Sequence, residues 1–330
     1  MKSPERLHQI EVFSHFSALH LLQLAECLES QSCLAGANIF GEGDLGSSFF
    51  LLESGMVRIR RLTPFGPFDL ENPSPGDLFA ETGILDGSPR EGDAEALADS
   101  VLVIFDPECL ASHSARDPKF DLALQWALWK SLSKKLRAAN DRLARFFASD
   151  TNPREVDRQP PAQQESEGKF DMANKLGLFR EQKLSEMEIN FLASLSREER
   201  FEPGQTIFHE GDYGDKMYIV AEGSVMISKS IPGVGEEALA FLERGDYFGE
   251  MALIDDRPRS ADARAHPQTG ATALALPRDV VVGLLNIEKV SSIRLLKILS
   301  RLAAKRVRQL HEKLVGWYLL AGGDLESAAD

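Results

Sequence analysis

Residues 248–263 read FGEMALIDDRPRSADA, and residues 79–94 repeat them in altered form as FAETGILDGSPREGDA. The two stretches sit inside longer matching blocks. GANIFGEGDLGSSFFLLESGMVRI at 36–59 aligns with GQTIFHEGDYGDKMYIVAEGSVMI at 204–227, an offset of 168 residues in a chain of 330. A period of half the chain is far longer than a solenoid unit, so it marks two copies of one domain. What the glycine, the glutamate and the arginine–serine pair of the second copy do together, and what their loss does to the first, is the question the sequence poses.

Composition narrows the answer. Apolar content is 43%, ordinary for a globular chain. No apolar run approaches the roughly 20 residues of a membrane helix, and MKSPERLHQIEVF at the start has no apolar signal region. A cytoplasmic protein without membrane contact is the expectation. The formal net charge of −14 repels phosphate backbones and disfavours nucleic-acid partners, but it allows one small anion in a local nest of donors. Cys27, Cys33 and Cys109 have no metal-ligand spacing and read as reduced thiols. The seven histidines show no metal spacing, and no nucleophile–base pattern is present. Neither a metal, nor a cofactor, nor an enzyme activity is expected.

The copies are read as residues 1–148 and 170–330, joined by a linker at 149–169 that is polar, rich in Pro, Gln and Glu, and too poor in large apolar residues to build a core. Each copy runs from an amphipathic helical segment (SALHLLQLAECLES, 17–30; LSEMEINFLASLS, 184–196), through short β-type runs split by glycine turns, to a long helical segment. Short strands with such turns predict a mainly β, jelly-roll-like barrel with flanking helices. Heptad spacing marks both long segments, at Trp129, Leu132, Leu136, Ala139, Leu143 and Phe146 and at Leu296, Leu299, Ala303, Val307, Leu310, Leu314 and Trp317. Packing on the barrel and a helix–helix seam, within one chain or in a homodimer, both fit. The basic run RLAAKRVRQLHEK at 301–313 reads as a solvated helix face.

In the second copy the chemistry is specific. Gly245 and Gly249 let backbone approach a ligand closely. EMALI after Gly249 is helix-capable, and a helix N-terminus presents free N–H groups to an anion. Arg259 carries a planar fork suited to phosphate, and Ser260 adds a hydroxyl beside it. Glu250 is an acceptor suited to a sugar hydroxyl. An anion site beside a hydroxyl site describes a nucleotide with its ribose.

The order F-G-E-hydrophobic-A-L, four residues, then P-R-S-A resembles the phosphate-binding cassette of the cyclic nucleotide-binding domain family. The resemblance covers nearly the whole chain as two copies. It implies an eight-stranded β-barrel with flanking helices, a cyclic nucleotide as ligand, cAMP ahead of cGMP, and a site made of Phe248, Gly249, Glu250, Met251, Ala252, Arg259 and Ser260. By the same resemblance Glu250 accepts the ribose 2′-OH and Arg259 pairs with an exocyclic phosphate oxygen. A hydrophobic lid for the base would come from the C-terminal helix, 291–318, whose movement would carry the signal to an effector protein. Asp262 departs from the small residue usual there, and would weaken phosphate binding if it pointed inward.

The first copy keeps Phe79, Glu81, Pro89 and Arg90 but places Ala80, Thr82-Gly83 and Glu91 where the second has Gly249, Met251-Ala252 and Ser260. A carboxylate ~4 Å from a phosphate costs about 4 kcal/mol at an effective dielectric of 20, some three decades of affinity. Glu81 and Arg90 therefore read as a vestigial site, with Arg90 free to pair with Glu91 or Glu81. The functional expectation is a non-enzymatic cyclic-nucleotide sensor. Two alternatives stand beside it. A kinase regulatory subunit has the tandem domains, yet residues 1–10 show no docking segment or Arg-Arg-x-Ser/Ala sequence. A transcription regulator of the catabolite-activator type would need a helix-turn-helix after the second copy.

Overall fold

The computed structural model describes residues 3–148, 175–178, 186–231, 235–285 and 292–323; the linker at 149–169 lies outside them. The described residues form two compact units, Met1–Leu136 with Ser300–Asp330, and Arg137–Leu299. This partition differs from the order of the repeat. The last helix joins the first unit from Ser300 onward because its side chains find their partners there, as described below.

In the first unit, helices α1 (Pro4–His8) and α2 (Ala18–Glu26) start at serine caps, Ser3 and Ser17, whose hydroxyls accept from backbone N–H groups three residues on. The 17–30 segment is thus helical only to Glu26, and Leu28 already begins a strand. Strands β1 (Leu28–Cys33), β3 (Phe50–Ser54), β6 (Leu78–Phe79) and β8 (Ser100–Phe105) make one antiparallel sheet in the order β1-β8-β3-β6. Strands β2 (Asn38–Phe40), β4 (Val57–Thr63), β5 (Gly66–Glu71) and β7 (Asp93–Ala96) make the other, in the order β2-β7-β4-β5. Helix α3 (Thr82–Asp86) lies between β6 and β7 in sequence, and α4 (Pro107–Arg116) leads into the long α5 (Pro118–Ala148).

The second unit repeats the plan. Its sheets are β14-β11-β16-β9 and β10-β15-β12-β13, built from β9 (Arg197–Phe201), β10 (Thr206–Phe208), β11 (Lys216–Gly223), β12 (Val225–Ile231), β13 (Gly235–Leu242), β14 (Tyr247–Phe248), β15 (Asp262–Ala265) and β16 (Ala271–Pro277). Around them stand α6 (Glu186–Leu195), α7 (Glu250–Ile254) and α8 (Arg278–Leu284), and the last helix is α9 (Ser292–Leu320). Each copy is therefore eight strands in a pair of four-stranded sheets with flanking helices, the jelly-roll-like arrangement expected from the strand runs and glycine turns. Even the register shifts repeat: those at Asn38/Phe40, Leu52/Ser54 and Ile59/Arg60 recur at Thr206/Phe208, Val220/Glu222 and Ile227/Ser228. Bulges re-aim side chains, so the two copies present equivalent residues at equivalent places.

Of the heptad residues, Trp129, Leu132, Leu136, Ala139 and Leu143, and Leu296, Leu299, Ala303, Val307, Leu310 and Leu314, are buried within the single chain, while Trp317 is half-buried. The Phe146 side chain lies outside the described residues. The thiol expectation needs correction. Cys27, at the end of α2, and Cys109, in α4, are joined as a disulfide with their Cα atoms 5.3 Å apart, and Cys33 is the free, buried one.

Candidate phosphate-binding site

The second cassette hangs from a stacked pair. Phe248 in β14 faces Tyr218 in β11, with ring centroids 4.9 Å apart. Both are buried, so the strand end is fixed. Gly249 then turns with φ of 76°, in the left-handed region, and starts α7. A glycine is required here for a second reason: a Cβ would meet Nη1 of Arg259 at 2.6 Å. In α7, Glu250, Met251 and Ala252 are all buried. The small side chain of Ala252 suits its neighbour, since a Cβ on Gly214 would meet that of Ala252 at 2.6 Å.

Arg259 is 3% exposed. Its backbone is pinned to the turn before β11, with Arg259 N–H donating to Asp212 O and Gly211 N–H donating to Arg259 O, both at 2.9 Å. Its guanidinium donates to Gly249 O at 2.5 Å and Lys216 O at 2.6 Å, lies 4.2 Å over the Phe208 ring, and sits 3.7 Å from an Asp215 carboxylate oxygen. Its Nε is buried with no hydrogen-bond partner. Burial pulls the guanidinium below its ordinary pKa, while Tyr218, Asp215, Glu250 and Asp212 pull it back up. A buried cation with an unused N–H is costly unless an anion meets it. Ser260, half-buried, follows directly, its hydroxyl 3.9 Å from the Met251 sulfur. The seven residues singled out in the sequence are thus gathered into one short turn–helix–loop.

Asp262 does not face that anion place. Its Oδ1 accepts from Glu210 N–H at 2.8 Å and lies 3.3 Å from His209 Nδ1. In the first copy Asp93 accepts from Glu42 N–H in the same way, at 2.8 Å. The aspartate ties down the turn before β11, and His209 is turned toward it.

The first cassette keeps the backbone and spends the side chains otherwise. Ala80 holds a left-handed φ of 66° where Gly249 stands in the second copy. Arg90, 7% exposed, donates to Ala80 O and Ser48 O, both at 2.5 Å, and lies 4.8 Å from the centre of the Phe40 ring. Its guanidinium therefore pairs with carbonyls and not with Glu91 or Glu81. Glu81 is fully buried and consumed by α5: Ser131 Oγ donates to it at 2.6 Å and Lys135 Nζ at 2.8 Å, with Glu71 also 2.8 Å from Lys135. Burial opposes the Lys135 charge, but Glu71 and Glu81 outweigh it and hold the ammonium firmly protonated.

Glu91, in the place of Ser260, meets His311 Nδ1 at 2.6 Å and Arg308 Nε at 3.2 Å. Burial raises this carboxyl, and His311, Arg308 and Lys135 together bring it below its ordinary range. Arg308 further donates to Asp86 at 3.0 Å and to Pro89 O at 3.1 Å. The basic run at 301–313 is thus not simply a solvated face. Ser131, Lys135, Arg308 and His311 escaped the sequence reading because helical periodicity places a residue on a face without saying what meets it. Among the described residues, three or more metal-ligating side chains come within ligand distance of one another only at Cys27, Cys109 and His113, and both sulfurs there are in the disulfide.

The sequence model of the cyclic nucleotide-binding domain matches residues 30–117 and 198–288, more than half of the chain. The chain belongs to the cyclic nucleotide-binding domain family. A cAMP-dependent protein kinase regulatory subunit of Mucor circinelloides f. lusitanicus is 24% identical over 255 residues, covering 77% of this chain and 48% of the relative. A cyclic AMP receptor protein of Thermus thermophilus is 35% identical over 129 residues, 39% of this chain and 56% of the relative. The chain spans about half the length of these curated relatives. A solved structure, the regulatory domain of Toxoplasma gondii PKA with cAMP, is 21% identical with a TM-score of 0.33, covering 92% of this chain and 96% of its own. No helix among the described residues is long and apolar enough to cross a membrane.

Proposed function

We propose that the chain is a non-enzymatic cyclic-nucleotide sensor in which the second unit binds one cyclic mononucleotide, cAMP ahead of cGMP. The observation that carries this is the buried Arg259 set beside Gly249, Glu250 and Ser260, with Ser260 standing where the first copy has the Glu91 carboxylate. Phosphate meets Arg259 and Ser260, and the ribose hydroxyl meets Glu250. The first copy binds none, because Glu91 puts a carboxylate where the second has Ser260 and Glu81 is spent on Ser131 and Lys135. The long helices pass the change to a cytoplasmic effector protein. Two relatives named for cAMP, a kinase regulatory subunit and a receptor protein, support the choice of ligand, and the first supports a kinase as the effector. Calorimetry of the purified chain with cAMP and with cGMP tests it. The expected result is one site per chain and a loss of at least ~100-fold in Arg259→Ala, which strands a buried charge. Two equivalent sites, or an Arg259→Ala variant that binds like the parent, would overturn it.

A further inference from the structure

The two units share a feature beyond the repeat of their sheets: a long helix is anchored to each cassette by matching side chains. In the first unit Arg308 donates to Asp86 and to Pro89 O, and Glu312 meets Arg61 at 2.7 Å, which also faces Glu42 at 3.3 Å. In the second unit Arg137 donates to Asp255 at 2.7 and 2.9 Å and to Pro258 O at 3.0 Å, and Asp141 meets Lys229 at 2.7 Å, which also faces Glu210 at 3.0 Å. Asp86 and Asp255, Pro89 and Pro258, Arg61 and Lys229, and Glu42 and Glu210 are equivalent positions of the repeat. In both units the arginine and the acidic residue stand four apart on one helical face. The cassette loop is thus gripped at one end and the β-strand at the other, with the residue three past the arginine between the grips.

In the first unit that residue is His311, which meets Glu91 directly at 2.6 Å. In the second unit it is Asn140, 6% exposed, and the residue equivalent to Glu91 is Ser260. Glu91 supplies from the protein an anion that Ser260 does not. At the helix position where the first unit has the His311 imidazole, the second carries an amide with two N–H donors.

We propose that Asn140 is a ligand-binding residue of the second cassette, donating its side-chain amide to the anion held at Arg259 and Ser260. This rests on the reading of the second cassette as a cyclic-nucleotide site and adds to it a residue from α5, outside the cassette and before the linker. The Glu91–His311 contact is then an internal copy of the bond that a nucleotide makes with Asn140. An uncharged donor suits the place, since Arg259 already brings the cation.

Calorimetry with cAMP on the full chain tests this, using Asn140→Ala, Asn140→Leu, Asn140→Asp and Asn140→His. A hydrogen bond to a charged group corresponds to a loss of about 10- to 100-fold in affinity. Alanine and leucine should both show it, and aspartate should lose more by repulsion. Histidine, the residue of the first unit, should retain most of the affinity. Leucine keeps the volume, so a loss of binding at an unchanged melting temperature of the free protein separates the donor from packing. Parent-like binding by the leucine and aspartate variants overturns the inference and leaves the cassette reading intact. A parent chain that takes up neither cAMP nor cGMP overturns both.

Discussion

His311 Nδ1 lies 2.6 Å from Glu91 Oε2, where the last helix meets the first cassette. The side chains of both residues are almost wholly buried. The carboxylate that stands in the place of Ser260 thus holds the last helix to the first cassette.

The first prediction concerns acid. The Glu91 carboxyl is held below its ordinary range by His311, Arg308 and Lys135 against the opposing effect of burial. A depressed folded-state value means stability that is present above the unfolded value, about 4.3, and lost as pH falls through the lower folded value. Glu91→Gln should destabilise the first unit by about 3 kcal/mol at pH 7, because it leaves buried cations unpaired. The difference from the parent should shrink below pH ~4. Denaturant melts at the two pH values measure this, and a difference that stays constant from pH 7 to the acid limb would refute it.

Ala80 and Gly249 make a reciprocal pair. Both hold a left-handed backbone, at φ of 66° and 76°. Ala80→Gly should relieve about 1 kcal/mol of strain and raise the melting temperature. Gly249→Ala should do the reverse, and its Cβ would also displace the Arg259 guanidinium it meets at 2.6 Å. That variant should lose nucleotide affinity while the circular dichroism stays native. Unchanged affinity would show that the arginine's anchorage on Gly249 O does not matter for binding.

The sequence made the cassette legible because its requirements are local. A left-handed turn needs Gly249 and an anion needs Arg259, both within one short loop. The strands were legible for the same reason, through alternation and glycine turns. What could not be read was the use of the helices. Arg137, Arg308 and His311 lie 118 to 222 positions from the cassette residues they meet, and a heptad pattern names a buried stripe without naming what covers the rest. The Cys27–Cys109 pairing was hidden likewise, since a separation of 82 gives no spacing signal.

That disulfide carries its own prediction. Closing a loop of this length removes unfolded-state entropy worth about 4 kcal/mol in the chain-entropy model. Reduction under native conditions should lower the melting temperature of the first unit and leave nucleotide affinity in the second unchanged. Alkylation with mass spectrometry checks the pairing: in denaturant without reductant, Cys33 alone should be labelled. Labelling of Cys27 or Cys109 in that sample would contradict the bond.

Arg137 and Arg308 make equivalent grips, yet their loss should read out differently. Arg308 holds Asp86 and Pro89 O of a cassette whose anion is built in, so Arg308→Ala should cost stability alone, about 2 kcal/mol for charge-assisted bonds. Arg137 holds Asp255, the last residue of the α7 turn, and the carbonyl of Pro258, the residue just before Arg259. Its removal frees the loop that aims the Arg259 guanidinium. Arg137→Ala should therefore weaken cAMP by about tenfold, equal to 1.4 kcal/mol, besides a comparable loss of stability. Asp255→Asn should do the same, and the double variant should fall short of the sum, because the two residues form one grip. Calorimetry on the four proteins closes the cycle. Full additivity in affinity, or an Arg137→Ala variant with parental affinity, would mean that the helix rests on the cassette without positioning it.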